Sequence, residues 1–573
     1  MKIFFLICYV VRATFIFAQA GRNDVIIDEL MFDPSPPVVK PFGLPEVEFV
    51  ELKNVSRAPY NLSGWKLSDA STTATISVNF VLLPDSFVVL CSSSAAPLLS
   101  GFGATIGLAN FPSLDNDGEM IYIRTKEGKV LHALQYDKSW HRNAVKSEGG
   151  WTLEMIDTRF PCSGSTNWKS SVHSLGGTPG KPNSVNAPNP DELSPLITGA
   201  YATDSLNILL SFDEPIDSFQ ASQPGNYFIS DNTGIPANAL VVPPLFNSVT
   251  LQLKTPLIKN KVYKIILRNI SDCNGNVNIP GMSAKVGLAS AADTFDVVIN
   301  EILFNPRPEG VDYVEIYNRG NKILDLKDLF VANQSASGTA GVPRQLSASK
   351  HLFFPEDYFV LTQTATTVKQ QYVSKKPEAF LELNMPSLPD DKGTLILMNR
   401  LGKTIDALSY DEKWQFKLID NNEGVALERV DYNKPTQDAM NWHSASTDAG
   451  YGTPTYLNSQ YHAAKQVDGL VTISPAVFSP DNNGHEDFVT IHYQFPEPGY
   501  TCNITVYDVN GRAARFLCRN AICGIKGYFR WDGLDEKNTR LNIGPYVIVT
   551  EVFSLAGKVK KFKHAVILAR KLH

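Results

Sequence analysis

The chain has 573 residues, of which 43% are hydrophobic and 19% charged, and its formal net charge at pH 7 is −6. This length exceeds one hydrophobic core, and the composition is that of folded domains rather than of a disordered chain. The acidic balance argues against nucleic acid as a partner, because phosphate binding needs concentrated Lys and Arg.

The first 20 residues are predicted to be a secretory signal peptide. Lys2 supplies the positive charge, Ile3 to Val11 the apolar run, and Ala18-Gln19-Ala20 a cleavage site with small residues. No later segment has the roughly 20 apolar residues that a membrane-spanning helix needs. We therefore expect a protein that is secreted, periplasmic, or attached to the cell surface or outer membrane, and that is not an integral membrane protein.

Two long segments of the chain repeat each other. Glu48-Phe49-Val50-Glu51-Leu52 returns as Asp312-Tyr313-Val314-Glu315-Ile316, and Gly177-Thr178-Pro179 returns as Gly452-Thr453-Pro454. The spacing of roughly 270 residues is far longer than the roughly 20–50 residues of a solenoid repeat. The repeat therefore indicates a duplicated domain, which we place at residues 21–186 and 294–460.

Both copies resemble the lamin-tail domain. The residues that carry the resemblance are Asn300-Glu301-Ile302, Tyr313 to Asn318, and the Gly64 to Asp69 segment, which the second copy replaces with Leu326 to Phe330. The resemblance implies an immunoglobulin-like β-sandwich and makes the duplicated domain the expected ligand-binding unit. Secreted bacterial proteins carry similar domains, and the leader peptide excludes a nuclear role.

Two further domains complete the predicted organisation. Residues 191–290 resemble a bacterial Ig-like module, on Leu209 to Asp217 and Asp272 to Asn276. Residues 466–573 resemble the Ig-like domain of flagellar hook-capping proteins on Phe478 to Gly484 and Ile504 to Arg512. They equally resemble the C-terminal sorting modules of type IX secretion in Bacteroidetes. The first resemblance implies structural stacking and the second an export address, which export could remove.

The hydrophobic pattern predicts strands throughout. Short runs rich in Val, Ile, Phe and Tyr alternate with clusters of Gly, Pro, Asn and Asp about every 8–12 residues, which is typical of β-sandwiches. The predicted fold is all-β, a string of four Ig-like β-sandwich domains after the signal peptide.

The sequence lacks the motifs of known catalytic classes, such as His-Glu-x-x-His, Gly-x-Ser-x-Gly or a Walker loop. Both copies do keep four acids, which could serve acid–base chemistry or bind a metal: Glu29 and Glu301, Glu51 and Glu315, Asp137 and Asp411, and Glu154 and Glu428. If alternation turns Val50 and Leu52 to the core, Glu51 points to solvent. We therefore expect solvated or strand-pairing roles for these acids. We likewise expect His141 and His443 at the surface.

One loop has the composition of a calcium site. Asp481, Asn483, Glu486 and Asp487 lie within seven residues and offer the oxygen ligands that Ca²⁺ prefers. We expect no other cofactor.

Six cysteines remain after removal of the leader. Cys502 and Cys518 flank a predicted hairpin turn at Asn510-Gly511, so either a cross-strand disulfide or buried free thiols would fit, and the pairing of these two with Cys523 stays open. The paired tryptophans Trp140 and Trp414, and Trp168 and Trp442, are expected in the cores.

These observations predict an exported, non-enzymatic protein of the bacterial envelope that acts in surface scaffolding, adhesion or ligand binding. Its partner would be an envelope or extracellular protein or a glycan. Two alternatives are a carbohydrate-binding or polymer-degradation accessory protein and a hydrolase with an unrecognised site.

Overall fold

The structure is a computed structural model that describes residues 19–35, 43–335, 338–417, 419, 421–462, 469–555 and 557–570. The predicted signal peptide lies outside these residues except for its last two. Strands make up 38% of the chain and helices 7%, which confirms the all-β prediction. Within the described ranges, no helix has the length and apolar character needed to cross a membrane.

The chain forms two compact units. The first comprises Met1–Leu257 with Tyr263–Val286, and the second comprises Ile258–Val262 with Gly287–His573. Each unit covers one copy of the repeat and the predicted domain that follows it. The four domain boundaries remain predictions.

The first unit contains strands β1 to β19 and two short helices. The repeat copy holds β1 Val25–Met31, β2 Phe49–Asn54, β3 Tyr60–Asn61, β4 Lys66–Ser68, β5 Thr73–Thr75, β6 Val81–Leu82, β7 Phe87–Ser92, α1 Ala96–Leu99, β8 Thr105–Leu108, β9 Met120–Arg124, β10 Val130–Gln135, β11 Leu153–Met155 and β12 Trp168–Ser170. The following domain holds β13 Ile197–Ala202, β14 Asn207–Phe212, α2 Ser218–Ala221, β15 Tyr227–Ile229, β16 Asn238–Val241, β17 Ser248–Gln252, β18 Tyr263–Leu267 and β19 Ser283–Val286.

The second unit contains β20 to β39 and one helix. The repeat copy holds β20 Val297–Leu303, β21 Tyr313–Asn318, β22 Leu324–Asp325, β23 Leu329–Asn333, β24 Arg344–Gln345, β25 Leu352–Phe353, β26 Tyr358–Thr362, α3 Ala365–Gln371, β27 Phe380–Glu382, β28 Lys392–Asn399, β29 Thr404–Asp411, β30 Leu427–Arg429 and β31 Trp442–Ser444. The C-terminal domain holds β32 Leu470–Ser474, β33 Val477–Phe478, β34 Val489–Gln494, β35 Tyr500–Tyr507, β36 Ala513–Cys523, β37 Lys526–Trp531, β38 Gly544–Phe553 and β39 Val559–Leu568.

The two copies of the repeat have the same topology. In the first copy a six-stranded sheet runs β12-β11-β1-β2-β7-β8 and faces a four-stranded sheet β10-β9-β4-β5. In the second copy the corresponding sheets run β31-β30-β20-β21-β26-β27 and β29-β28-β23-β24. The sequence repeat is therefore a repeat of the fold, strand by strand.

Each sandwich has a core between its sheets and a second apolar layer outside the larger sheet. The first core surrounds Trp168 and the second surrounds Trp442, while Trp140 and Trp414 pack against them, which confirms the prediction for all four tryptophans. A separate apolar cluster includes Val89 of β7 and Leu99 of α1, and it lies on the outer face of the first large sheet. The large sheet of each copy is therefore buried on both faces.

The other two domains are also built from two sheets each. The middle domain has the sheets β13-β14-β17-β16 and β15-β18-β19, and the C-terminal domain has β32-β34-β37 and β33-β39-β38-β35-β36. The turn between β35 and β36 is not the two-residue type that Asn510-Gly511 suggests. Asp508 Oδ1 accepts from the amides of Asn510 and Arg512, and only Gly511 is left-handed, at φ 74°.

Candidate functional site

Three of the four shared acids meet inside the first sandwich. Glu29 of β1 lies directly opposite Glu51 of β2 on one side and Glu154 of β11 on the other. All three side chains are completely buried. The expectation that Glu51 points to solvent is wrong, because chain covers the outer face of this sheet.

The covering chain is the segment that follows β12. The amide of Thr178 donates to Glu29 Oε1 at 2.7 Å and its hydroxyl to Glu154 Oε1 at 2.9 Å, while the amide of Gly180 donates to Glu51. Ser184 Oγ donates to Glu154 Oε2 at 2.7 Å. The repeated Gly-Thr-Pro sequence is thus the point at which the glutamates hold the exit segment, residues 176–185, against the sheet.

The second copy repeats this arrangement. Glu301, Glu315 and Glu428 are completely buried on β20, β21 and β30. Thr453 Oγ1 lies 2.9 Å from Glu301 Oε2 and 2.8 Å from Glu428 Oε1. A hydroxyl has one hydrogen, so Thr453 can donate to only one of these carboxyls, and the other must carry a proton to complete the second hydrogen bond.

Burial favours protonated forms of these acids. It raises the pKa of Glu301 to about 7 and that of Glu428 to about 8, and the negative charge of Glu301 raises the latter further. Burial also holds the pKa values of Glu29 and Glu51 well above the usual range, with neighbouring acids adding to the effect. The clusters are sealed acceptors for backbone amides and hydroxyls, an arrangement suited to structure and closed to a substrate.

The other residues singled out from sequence also have structural roles. Asp137 and Asp411 cap short 3₁₀ turns by accepting from the amides of Ser139 and Lys413.

His141 is buried and not at the surface as predicted, because its ring packs on Phe32 and its Nδ1 lies 2.7 Å from Ser170 Oγ. Burial lowers its pKa to about 4, so it stays neutral.

His443 also departs from the surface prediction. It is only partly exposed, and burial lowers its pKa to about 4.

A disulfide joins the first sandwich to the middle domain. Cys162 and Cys273 are bonded, with 6.2 Å between their Cα atoms, and neither residue was paired by sequence reasoning. Beside the bond, Arg22 donates to Ile216 O at 3.0 Å and its guanidinium lies 4.1 Å from the centre of the Phe246 ring. Covalent, hydrogen-bonded and ring contacts therefore fix this junction.

The linker between the first sandwich and the middle domain, residues 186–190, is docked on the sandwich. The amide of Ala187 donates to Ile156 O at 3.0 Å, and that of Asn189 donates to Asp157 Oδ2 at 3.0 Å. The linker therefore continues the exit segment as ordered chain up to the middle domain.

Three carboxylates meet at this junction. Asp191, Glu214 and Asp272 each place an oxygen within 4.8 Å of the other two, the spacing of metal ligands. Asp272 Oδ1 already accepts from the amides of three residues of its own turn, and Asp191 Oδ2 accepts from Asn274 Nδ2 at 2.8 Å. Burial, with Asp191 and Asp272 adding to it, raises the pKa of Glu214 to about 8, so this acid is largely protonated at neutral pH. These carboxylates join the turn and the linker to each other.

The second unit has a comparable junction without a disulfide. The amide of Ile525 donates to Ser459 O at 2.8 Å, and Gln460 Nε2 donates to Cys523 O at 3.2 Å. Ser459 Oγ and the amide of Gln460 in turn bind Glu428 Oε2, each at 2.8 Å. The buried glutamate therefore holds the same two residues that contact the C-terminal domain.

A cleft of about 1150 Å³ lies beside this second junction. Its walls carry the aromatic rings of Tyr456, Tyr461, Tyr528 and His492, with Asp448 among them. Tyr528 is 48% exposed, and the OH of Tyr493 donates to Asp448 Oδ1 at 2.6 Å. Lys375 Nζ lies 4.1 Å from the centre of the Tyr456 ring, and Tyr461 stacks on Tyr432 at 4.5 Å, so Tyr528 is the tyrosine that is open to a ligand. An exposed aromatic ring beside a carboxylate is a feature of a ligand-binding cleft.

The predicted calcium loop is an exposed turn closed by its own side chains. Asp487 Oδ2 accepts from the amide of Gly484 at 2.8 Å, Asn483 Oδ1 from that of His485 at 2.7 Å, and Asp481 Oδ1 from that of Asn483 at 3.3 Å. The carboxylate of Glu486 lies 3.9 Å from the ring of His485. The calcium site remains a prediction.

The clustered cysteines are thiols. Cys502 Sγ and Cys518 Sγ are 3.8 Å apart and not bonded, and Cys523 is buried and free as well. Of the two arrangements open from sequence, the structure has the free thiols, with Cys502 and Cys523 buried and Cys518 partly buried.

A family model for the lamin tail domain matches residues 18–138 and 290–412, less than half of the chain. The matched segments are the first ten or so strands of each copy, so sequence resemblance and topology agree on the duplicated sandwich. No curated protein sequence matches the chain.

Several solved structures are similar over parts of the chain. The N-terminal part of the bacterial S-layer protein SbsC has 17% identity over 29% of this chain and 40% of its own, with a TM-score of 0.16. PorZ, a surface component of the type-IX secretion system of Porphyromonas gingivalis, has 12% identity over 78% of this chain and 56% of its own, with a TM-score of 0.17. A DUF4876 family protein from Bacteroides thetaiotaomicron has 13% identity over 37% of this chain and 83% of its own, also with a TM-score of 0.17. The chain spans 40% of the first of these proteins, and TM-scores this low carry no argument about function.

Proposed function

We propose that this protein is an exported, non-enzymatic structural component of the bacterial envelope, built from two stiff domain pairs. The observation that carries the proposal is the double attachment of the segment that leaves each sandwich, residues 176–191 in the first copy and 453–460 in the second. Buried glutamates hold one end of the segment in the sandwich. Its other end contacts the next domain, through Asp191 and Asn274 in the first unit. In the second unit, Ser459 and Gln460 make these contacts with Ile525 and Cys523. Domains joined in this way keep a fixed separation under load, which suits surface scaffolding.

The state of the acids supports a role without catalysis. A general acid or nucleophile must reach its substrate. Glu51 and Glu315 are completely buried and bound to backbone amides instead.

Cell fractionation, with mass spectrometry of the mature termini, tests the proposed location. We expect the mature chain in the envelope or culture fluid and a new N-terminus near residue 21. A cytoplasmic chain that keeps its first 20 residues would contradict export.

A panel of nucleic acid, peptide and glycan substrates tests the absence of catalysis. We expect no turnover. Turnover that Glu51→Ala or Glu315→Ala abolishes in a folded protein would establish a hydrolase instead.

The cleft of the second unit favours a second candidate function, glycan binding. Tyr528, which is 48% exposed, offers a ring for stacking on a sugar, and Asp448 offers an acceptor for the hydroxyl groups of the sugar. A glycan array tests it with wild type, Tyr528→Ala and the control Phe228→Ala, which removes an aromatic ring that is 44% exposed in the middle domain. If wild type and Phe228→Ala bind a glycan and Tyr528→Ala does not, the cleft is a glycan site. If wild type binds no glycan on the array, the glycan-binding candidate is rejected and the scaffolding role remains.

A further inference from the structure

The two copies of the repeat differ at the residue that precedes the first buried glutamate. Asn300 precedes Glu301 in β20, and Asp28 precedes Glu29 in β1. In both copies the strand pairing shifts at this residue, and such a bulge re-aims the side chain of the extra residue. The bulge brings Asn300 beside Glu315 of the neighbouring strand.

In the second copy the amide of this residue connects two acceptors. Asn300 Nδ2 donates to Glu315 Oε1 at 2.8 Å and to Asn458 Oδ1 at 2.7 Å. Asn458 Nδ2 returns a hydrogen bond to Asn300 O at 3.0 Å. Every one of these buried polar atoms therefore has a partner.

In the first copy the matching atoms have no donor. Asp28 Oδ1, Glu51 Oε1 and Asn183 Oδ1 are buried without a hydrogen-bond partner, and they are the counterparts of the connected atoms in the second copy. A carboxylate accepts hydrogen bonds and cannot donate one. Buried acceptors without donors are strongly unfavourable, so three of them at one place require an additional hydrogen or ion.

We propose that Asp28 and Glu51 share one proton in the folded protein at neutral pH. The acidic O–H then makes one of the two hydrogen bonds that the Asn300 amide makes in the second copy, either toward Glu51 Oε1 or toward Asn183 Oδ1. This proton turns one of the three acceptors into a donor to a second one and removes one of the buried negative charges. The donor at this position is therefore lost as pH rises in the first sandwich, whereas the Asn300 amide that donates in the second does not titrate.

The charges around the pair favour this state. Glu29 and Glu154 face it from β1 and β11, and their negative charges favour the proton, while Lys53 of β2 opposes it. Burial is the largest effect and raises the pKa of Asp28 to about 7.

The expected consequence is a decrease in stability as pH rises. An aspartate loses its proton near pH 4 in an unfolded chain, so between about pH 4 and about pH 7 the folded protein binds one more proton at this pair than the unfolded one. The stability that this proton contributes is complete below about pH 4 and is lost as pH rises through about pH 7.

Calorimetry of the full mature chain between about pH 5 and about pH 8 tests the proposal. The variants are Asp28→Asn, which copies the second repeat, and Asn300→Asp, which copies the first. We expect Asp28→Asn to flatten the fall in melting temperature of the first unit and to remove one infrared band of a protonated carboxyl group. Asn300→Asp should steepen the fall for the second unit, and it keeps the test decisive if Asp28→Asn does not fold.

Unchanged pH profiles in both variants would overturn the proposal. So would a wild-type melting temperature that rises with millimolar Ca²⁺ only while Asp28 is present, since a cation would then occupy the place of the proton.

Discussion

The disulfide between Cys162 and Cys273 gives a quantitative test of the first junction. The bond closes a loop with a sequence separation of 111 residues. On the chain-entropy model a loop of that length stabilises the folded state by up to about 4.8 kcal/mol at 25 °C. A unit of this size loses about 2 °C of melting temperature per kcal/mol, so removing the bond should lower its melting temperature by up to about 10 °C.

The assay is thermal unfolding of the mature chain with and without a reductant, for wild type and for the double variant Cys162→Ser/Cys273→Ser. Reductant should lower the wild-type melting temperature toward that of the double variant and leave the double variant unchanged, because the other described cysteines are thiols. If both native cysteines react with a thiol reagent in the folded wild type, the bond is absent and the reasoning fails. A reductant effect in the double variant would reveal a second bond, with Cys502 and Cys518 as the pair in reach.

Three further changes test other parts of the structure. Arg429→Met removes the ion-pair partner of the buried Asp406 and should cost about 3–5 kcal/mol in urea unfolding. Adding Asp406→His should restore most of that loss, because the first copy has the neutral residues Met155 and His132 at these positions; no recovery would contradict the equivalence. Gly524→Ala would place a Cβ 2.4 Å from the carbonyl oxygen of Ser459 and should destabilise the second junction by about 1–3 kcal/mol, whereas Gly101→Ala, which meets no atom within 4 Å, should be neutral. Millimolar Ca²⁺ should raise the melting temperature of the C-terminal domain in wild type but not in Asp487→Asn; identical curves with calcium and chelator would remove the calcium site.

The repeat and the strand pattern were sufficient to predict the fold class and the duplicated sandwich. Alternation failed at Glu51 because it assumes that one face of the sheet meets solvent. The cover over Glu51 comes from Gly180, which is 129 residues away in sequence. No local pattern contains that contact.

Other features have a signal in the sequence that becomes readable only with the fold. The Gly-Thr-Pro sequence occurs in both copies, yet its link to the shared glutamates depends on the exit segment folding back on the sheet. The replacement of Asp28 by Asn300 in the second copy is visible when the two repeats are aligned residue by residue. The Cys162–Cys273 bond joins two domains, and six scattered cysteines do not indicate which of them meet.

Limited proteolysis of the non-reduced mature chain, read by mass spectrometry, tests the stiff domain pairs most directly. Residues 184–197 contain the Pro- and Asn-rich sequence that ordinarily marks an accessible linker. The docked amides of Ala187 and Asn189 predict that no early cleavage occurs there and that the first sandwich and middle domain survive as one fragment. Early cuts within 184–197, with the two domains held only by the disulfide, would show a flexible joint and contradict the structural role proposed for the buried glutamates.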